Sequence, residues 1–300
     1  MRAPHVPVLL EECLELLAVR PGGSYVDGTV GMGGHTVEML RRSAPEGRVL
    51  GVDRDAESLE RAALGLGELA ERLHLQQADF RELPAILAGQ RPDGILLDLG
   101  ISSAQLDDAE RGFSFMADGP LDMRMDRSRD ATAAEIVNRL PEKDLADLIY
   151  RFGEEPASRR IARAIVAARR RSRIRTTGEL AGIVRGAAGR SRRPGLDPAT
   201  RTFQALRIHV NRELEGLGQV LAALAHCLAE GGRLAVIAFH SLEDREVKVA
   251  FRELAKDGFR VLTRKPVRPG EAEVRANPRS RSARLRALLR ESHQAIGRAA

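Results

Sequence analysis

The 300-residue chain contains no tryptophan, two tyrosines and only 3% aromatic residues, so a ring that stacks on a ligand has very few positions to come from. Its two cysteines, Cys13 and Cys227, show no paired spacing, which excludes a disulfide scaffold, and both lie in apolar-periodic, helix-like segments. They read as buried, reduced thiols of a cytoplasmic protein. No group of His, Cys or acidic residues has metal-ligand spacing, so no metal is expected; the acids of residues 107–130 read as loop caps and partners for Arg124, Arg127 and Arg129. No apolar run approaches bilayer length, and Glu11 and Glu12 interrupt the first one, so neither a membrane partner nor a secretory leader is expected.

The chain does hold enough apolar sequence for a substantial core, at 43% hydrophobic and 30% charged residues, and its length allows more than one domain. The net charge of +6 is unevenly placed. Residues 157–195 carry 12 arginines, no lysine and one acid, Glu179, which gives that segment about +11 and the remainder about −5. A local excess of that size points to a polyanion such as RNA, with Arg169, Arg170 and Arg171 as candidate phosphate contacts; the competing reading is a solvated helix face.

Apolar runs alternate with helical periodicity through the first hundred residues. After a leading helix from Pro7, strands are expected at 24–27, 48–53, 73–78 and 93–99, with helices at about 35–42, 56–69 and 81–87 between them. This spacing predicts βαβ units and a mostly parallel sheet whose ligands bind at the carboxyl ends of the strands. The rhythm then stops. A loop over 101–130 leads to helices opened by Thr132 with Glu135, by Pro141, by Pro156 and by Thr177, and a polar linker spans 189–196. A long helix from Asp197 toward Ala229, with a possible break near Gly216 and Gly218, precedes a fifth strand at 233–239. Ser241 and Asp244 are expected to cap the helix after it, and two antiparallel edge strands at 259–265 and 282–289, joined by a loop, close the chain.

The first strand runs into Asp27-Gly28-Thr29-Val30-Gly31-Met32-Gly33-Gly34-His35, a glycine-rich turn before a helix N-terminus, a form suited to a nucleotide-like ligand or simply to a tight strand-to-helix turn. Thr36 stands where a dinucleotide fingerprint has its third glycine, which weakens a dehydrogenase reading. Asp53, 22 residues past Gly31, suits a ribose acceptor or a helix cap, and Asp79-Phe80 could flank an adenine. Asp98 ends strand four without the prolines and aromatic that follow the acid in many amino-methyltransferases. Stacking candidates are Phe239, Phe113 and Phe115, each of which also suits the core. His240 reads either as a group that orients a substrate or as a structural hydrogen-bonder.

Seven blocks carry a family resemblance: 27–35, 98–107 (Asp-Leu-Gly-Ile-Ser-Ser-Ala-Gln-Leu-Asp), 111–116 (Arg-Gly-Phe-Ser-Phe-Met), 119–125, 200–207, 239–245 (Phe-His-Ser-Leu-Glu-Asp-Arg) and 277–282 (Asn-Pro-Arg-Ser-Arg-Ser). Together the chain resembles the bacterial 16S ribosomal RNA cytosine-N4 methyltransferase family, RsmH or MraW, along nearly its whole length. The resemblance implies an α/β, class I S-adenosylmethionine-dependent fold, with a methyltransferase domain of residues 1–108 and 208–300 interrupted by a helical, substrate-recognising domain of 109–207. It implies S-adenosylmethionine as cofactor and 16S rRNA in the small ribosomal subunit as partner, methylated at one cytidine of the decoding region; monomer and homodimer both stay open. By the same resemblance Gly33, Gly34, His35, Asp53, Phe80, Asp98 and Gln105 contact the cofactor. Thr29, in place of the first glycine of the general methyltransferase loop, is a departure that the family shares. A nucleotide-dependent oxidoreductase and a non-catalytic ribosome-assembly factor are the competing readings; the first is opposed by Thr36 and the arginine block, the second by an intact glycine loop with Asp53.

Overall fold

A computed structural model of the chain describes residues 7–64, 66–128, 131–189 and 197–292, which divide into two compact units, Met1–Gly100 with Gly216–Ala300, and Ile101–Glu215. The boundaries expected at 109 and 207 fall inside the second unit.

The first unit opens with α1 (Leu10–Leu17), β1 (Ser24–Asp27), α2 (Gly34–Arg42), β2 (Arg48–Asp53), α3 (Ala56–Ala63), β3 (Leu73–Gln77), α4 (Leu83–Ile86) and β4 (Gly94–Asp98). The second supplies α5 (Ser103–Asp107), α6 (Ala133–Arg139), α7 (Glu142–Gly153), α8 (Ser158–Arg169), α9 (Thr177–Ala188) and α10 (Thr200–Val210). The chain then returns through α11 (Leu217–Cys227), β5 (Arg233–Ala238), α12 (Ser241–Leu254), β6 (Phe259–Val261), α13 (Glu271–Ala276) and β7 (Arg284–Arg290).

The seven strands form one sheet in the order β3-β2-β1-β4-β5-β7-β6, with β1 to β5 parallel and β7 antiparallel to both β5 and β6. The reversal of order beside β1 leaves a crevice at the carboxyl ends of the central strands, where sheets of this kind bind ligands. Burial explains the near-continuous apolar runs. Ile95, Leu96, Leu97, Leu234, Ala235, Val236 and Ile237 are all sealed from solvent, as strands covered on both faces must be. One face packs on Cys13, Leu14, Leu17, Met39 and Leu40 from α1 and α2.

The second unit has its own core, built from Leu145, Ile149, Ile161, Ile165, Leu180, Val184, Phe203 and Leu206 on facing helices. Capping boxes at Thr132/Glu135 and Thr176/Glu179 start α6 and α9 by satisfying free N–H groups in both directions. The segment before α6 is an ordered strap, not an open loop. Asn211 donates to the Met123 carbonyl and accepts from the Met125 N–H, both at 2.8 Å, while Arg111 Nη2 donates to the Met125 carbonyl at 2.8 Å.

Several expected elements change at their ends. The helix from Ala56 stops at Ala63 and continues as a 3-10 turn over Gly67–Arg72. The long helix toward Ala229 is two helices, because Arg212 and Gly216 take left-handed backbone (φ 50 and 66) between them. The cap of α12 is His240, one residue earlier than Ser241. Its ring accepts from the Glu243 N–H, and the Glu243 carboxylate accepts from the His240 N–H. The stretch between β6 and β7 contains α13.

Candidate cofactor site

Three neighbouring strands end in acids: β2 in Asp53, β1 in Asp27 and β4 in Asp98. All three lie at the carboxyl edge of the sheet, with Asp27, which pairs with Gly51 and Leu96, set back by two residues from Asp53 and Asp98. Each binds the glycine turn in a different way. Asp27 is 1% exposed and accepts from the Thr29 N–H (3.1 Å) and the Thr36 hydroxyl (2.6 Å). Burial raises its pKa to about 6, against the pull of these donors. Asp53 accepts from the Gly31 N–H (2.8 Å) and, through its other oxygen, from the Asp55 N–H (2.9 Å), and burial raises its pKa too. Asp98 donates its own N–H to the Thr29 hydroxyl at 2.6 Å. The turn from Gly28 to Gly34 is therefore strapped to all three strands before any ligand arrives.

The Asp98 carboxyl is the least satisfied. Among the described residues nothing hydrogen-bonds to its buried Oδ1, and Oδ2 lies 3.8 Å from His35 Nδ1. Burial first, then the nearby charges of Asp27 and Glu243, push its pKa well above the ordinary carboxylate range. His35 is itself buried, with Nε2 3.0 Å from the Val8 carbonyl. A carbonyl can only accept, so the proton is assigned to Nε2 and the Nδ1 lone pair faces Asp98.

Gly33 takes φ +80 as the N-cap of α2, and an added Cβ would lie 3.2 Å from the Ala62 side chain. Gly34 is required for a different reason: a Cβ there would collide with Pro7. Phe80 follows β3 on a capped 3-10 turn, half-buried beside Gly28, with the Arg81 guanidinium 4.7 Å over its ring. Phe239 sits just past β5, half-buried, where its ring would lie 3.4 Å from a Cβ on Gly100.

A profile of the MraW methylase family matches residues 2–291. The chain belongs to the MraW methylase family. The "Ribosomal RNA small subunit methyltransferase H" of Syntrophobacter fumaroxidans is 54% identical over 309 residues, covering 96% of both chains. Its namesakes in Symbiobacterium thermophilum (306 residues; 95% of this chain, 96% of the relative) and Acidobacterium capsulatum (294 residues; 95% and 98%) are each 49% identical.

A MraW methylase takes its methyl group from S-adenosylmethionine, and the residues at this edge fit that molecule. Its sulfonium is a cation, and three closely spaced acids with raised pKa values are what a cation relieves. Asp98 Oδ1 offers an unused acceptor. Asp53 has spent one lone pair per oxygen on the Gly31 and Asp55 N–H groups, which among the described residues leaves acceptor capacity on both oxygens.

Most of the other candidates make contacts within the fold. Gln105 is in the second unit, where its Oε1 accepts from the Ser102 N–H in a capping box on α5. Phe113 is buried in that unit's core, and Phe115 packs edge-on against Phe203 at 4.8 Å beneath the Arg185 guanidinium. His240 spends its backbone and ring on the cap of α12, with Nε2 3.1 Å from Glu243 Oε1. Arg169 donates to the Val137 carbonyl at 2.7 Å in the last turn of α6, whereas Arg170 and Arg171 are exposed. Arg190, Arg192 and Arg193 lie outside the described residues. Sequence reasoning missed Asp27 and Thr36 as a pair. The signal was present in Thr36, read only as a missing glycine, whose hydroxyl is the donor a buried acid at the strand end needs.

Proposed function

We propose that this protein transfers a methyl group from S-adenosylmethionine to the exocyclic N4 amine of a cytidine in the 16S rRNA of the small ribosomal subunit, in the bacterial cytoplasm. The observation that carries the reading is Asp98: a carboxyl at the central strand end, beside the glycine turn, with a buried oxygen that has no hydrogen-bond partner among the described residues. The N4 lone pair of cytosine is delocalised into the ring, so the reaction needs alignment and an acceptor for the amine hydrogen more than a strong base. The Asp98 carboxyl would accept that hydrogen bond and take the amine proton as the new N–C bond forms and the methyl–sulfur bond breaks with its electron pair left on sulfur, and the proton would then pass to solvent through the quarter-exposed side chain. Bound S-adenosylmethionine supplies an electrophilic methyl group and a positive charge that favours the ionised form of Asp98.

The remaining residues bind and orient. Asp53 holds the ribose, the Gly33–His35 turn holds the methionine side and Phe80 flanks the adenine. His35, fixed on the Val8 carbonyl, forms the wall beside Asp98, with Nδ1 3.8 Å from Oδ2. Phe239 is the ring available at this end of the sheet to support an unstacked base. The exposed arginines of the second unit, Arg170 and Arg171 among them, bind RNA phosphates. Incubation of the protein with labelled S-adenosylmethionine and small subunits lacking the modification, followed by nucleoside mapping, tests the reading. The expected product is one N4-methylated cytidine; absence of transfer both to subunits and to naked rRNA overturns it.

A further inference from the structure

The Asn-Pro-Arg-Ser-Arg-Ser stretch and the basic residues before it have no part in the site described above, yet the sheet places them at its mouth. β7 runs antiparallel to β5, so Arg284 at its start pairs with Ala238 at the end of β5, and Val267 bridges Leu285. The chain between β6 and β7 is thus gathered at the carboxyl edge, beside Asp98, which pairs with Ile237 of β5. Glu273 ties α13 to the same edge by accepting from the Leu9 N–H at 2.9 Å, next to the Val8 carbonyl that holds His35.

This connection carries six cations, Arg264, Lys265, Arg268, Arg275, Arg279 and Arg281, against two acids. All six are exposed. Glu273 is spent on Leu9 and Glu271 sits 3.7 Å from Arg275. Among the described residues no acid pairs with Arg264, Lys265, Arg268 or Arg281. The end of the segment is built to present charge. Asn277 caps the turn by accepting from the Arg279 N–H, and Ser280, fully buried, bonds through both its N–H and its hydroxyl to the Asn277 carbonyl. Arg279 and Arg281 consequently project on either side of a buried anchor.

We propose that residues 264–281 form an RNA-backbone clamp on the methyltransferase unit itself, holding the phosphates that flank the target nucleotide. The proposal rests on the rRNA-methylating reading above. A base drawn out of its stack into a pocket brings its own phosphates to the rim, and cations on that rim hold them without reading sequence.

The test is the variant Arg264→Gln/Lys265→Gln/Arg268→Gln/Arg281→Gln, compared with the wild type for binding to a 16S rRNA fragment carrying the decoding region across a salt series. Each lost phosphate contact makes the log–log salt slope shallower by about 0.7–0.9, so the variant, with four cations removed, should bind at least about tenfold more weakly near 0.1 M salt with a slope shallower by about 2.8–3.6. Its S-adenosylmethionine affinity by calorimetry should equal the wild type's. If that affinity is lost, Lys265→Gln and Arg281→Gln singly are read for their own slope changes of about 0.7–0.9. RNA affinity and slope equal to wild type, in an enzyme that methylates small subunits, overturn the clamp alone. A wild type that neither binds nor methylates rRNA overturns the underlying reading as well.

Discussion

Replacing Thr36 by Val tests whether the glycine turn is held by a buried acid. The exchange keeps shape and removes one donor, the hydroxyl 2.6 Å from Asp27 Oδ2. A hydrogen bond to a charged group contributes about 1.5–3 kcal/mol, and Thr36 is fully buried, so water cannot replace it. Because Asp27 titrates near 6 in the folded protein, the cost depends on pH. Above that value the carboxylate is ionised and the full loss is felt. Losing the donor also raises the Asp27 pKa, so at pH 5, where both proteins hold a protonated Asp27, only the smaller cost of a neutral bond, about 0.5–1.5 kcal/mol, remains. Native-state hydrogen exchange of β1 and β2 amides reads the first unit alone, which avoids assuming that both units unfold together. The destabilisation should be about 1.5–3 kcal/mol at pH 8.5 and clearly less at pH 5. S-adenosylmethionine binding at pH 8.5 should weaken by about 10–100-fold, since the turn must then be ordered at the ligand's expense. Thr36→Ser should restore both. An equal cost at the two pH values, or one under about 0.5 kcal/mol at pH 8.5, would refute the argument.

Asp27→Asn addresses the same acid from the proton side. Its folded pKa of about 6 exceeds the unfolded value of about 3.9, so the native state binds the extra proton and wild-type stability falls as pH rises from about 4 to about 6, by about 3 kcal/mol. The stability difference between wild type and Asp27→Asn should shrink by about that amount between pH 4 and pH 7; a constant difference contradicts the assignment. Asp98→Asn keeps shape but accepts no proton, and should lower kcat by about 10²–10⁴-fold while leaving S-adenosylmethionine affinity within about tenfold in calorimetry; a kcat within about threefold of wild type removes Asp98 from the chemistry. In the second unit, Asn211→Ala deletes the bonds to Met123, Met125 and Arg207 and should cost about 2–4 kcal/mol by exchange of α10 amides, with first-unit protection unchanged.

What was legible in the sequence follows from which interactions are local. The central strands β4 and β5 announce themselves because burial on both faces demands apolar runs, and the capping box of α6 lies within four residues of sequence. The His240 cap escaped because a ring nitrogen replaces the usual Ser, Asp or Asn oxygen, so the serine next door drew the eye. The break between α10 and α11 shows at Gly216, while its start at Arg212, also in left-handed backbone, carries no sequence mark. Charge counting placed Arg169 among the RNA contacts, yet its neighbour in space is the Val137 carbonyl, 32 positions away.

The site shows the same division. That strands end in Asp27, Asp53 and Asp98 is visible in the sequence, and each acid alone has an ordinary explanation as a cap. Their meaning comes from the order β2-β1-β4, which sets together three carboxyls separated by up to 71 positions. In that order the middle acid, Asp27, has both oxygens filled by Thr29 and Thr36 and serves the turn, while Asp98 keeps an oxygen unused. Two carboxyls on adjacent strands thus differ, one spent on holding the loop and the other the group proposed to meet the reacting amine. The division is set by which hydroxyls the turn supplies, so moving the Thr36 hydroxyl, not adding or deleting an acid, is the perturbation that separates the two roles.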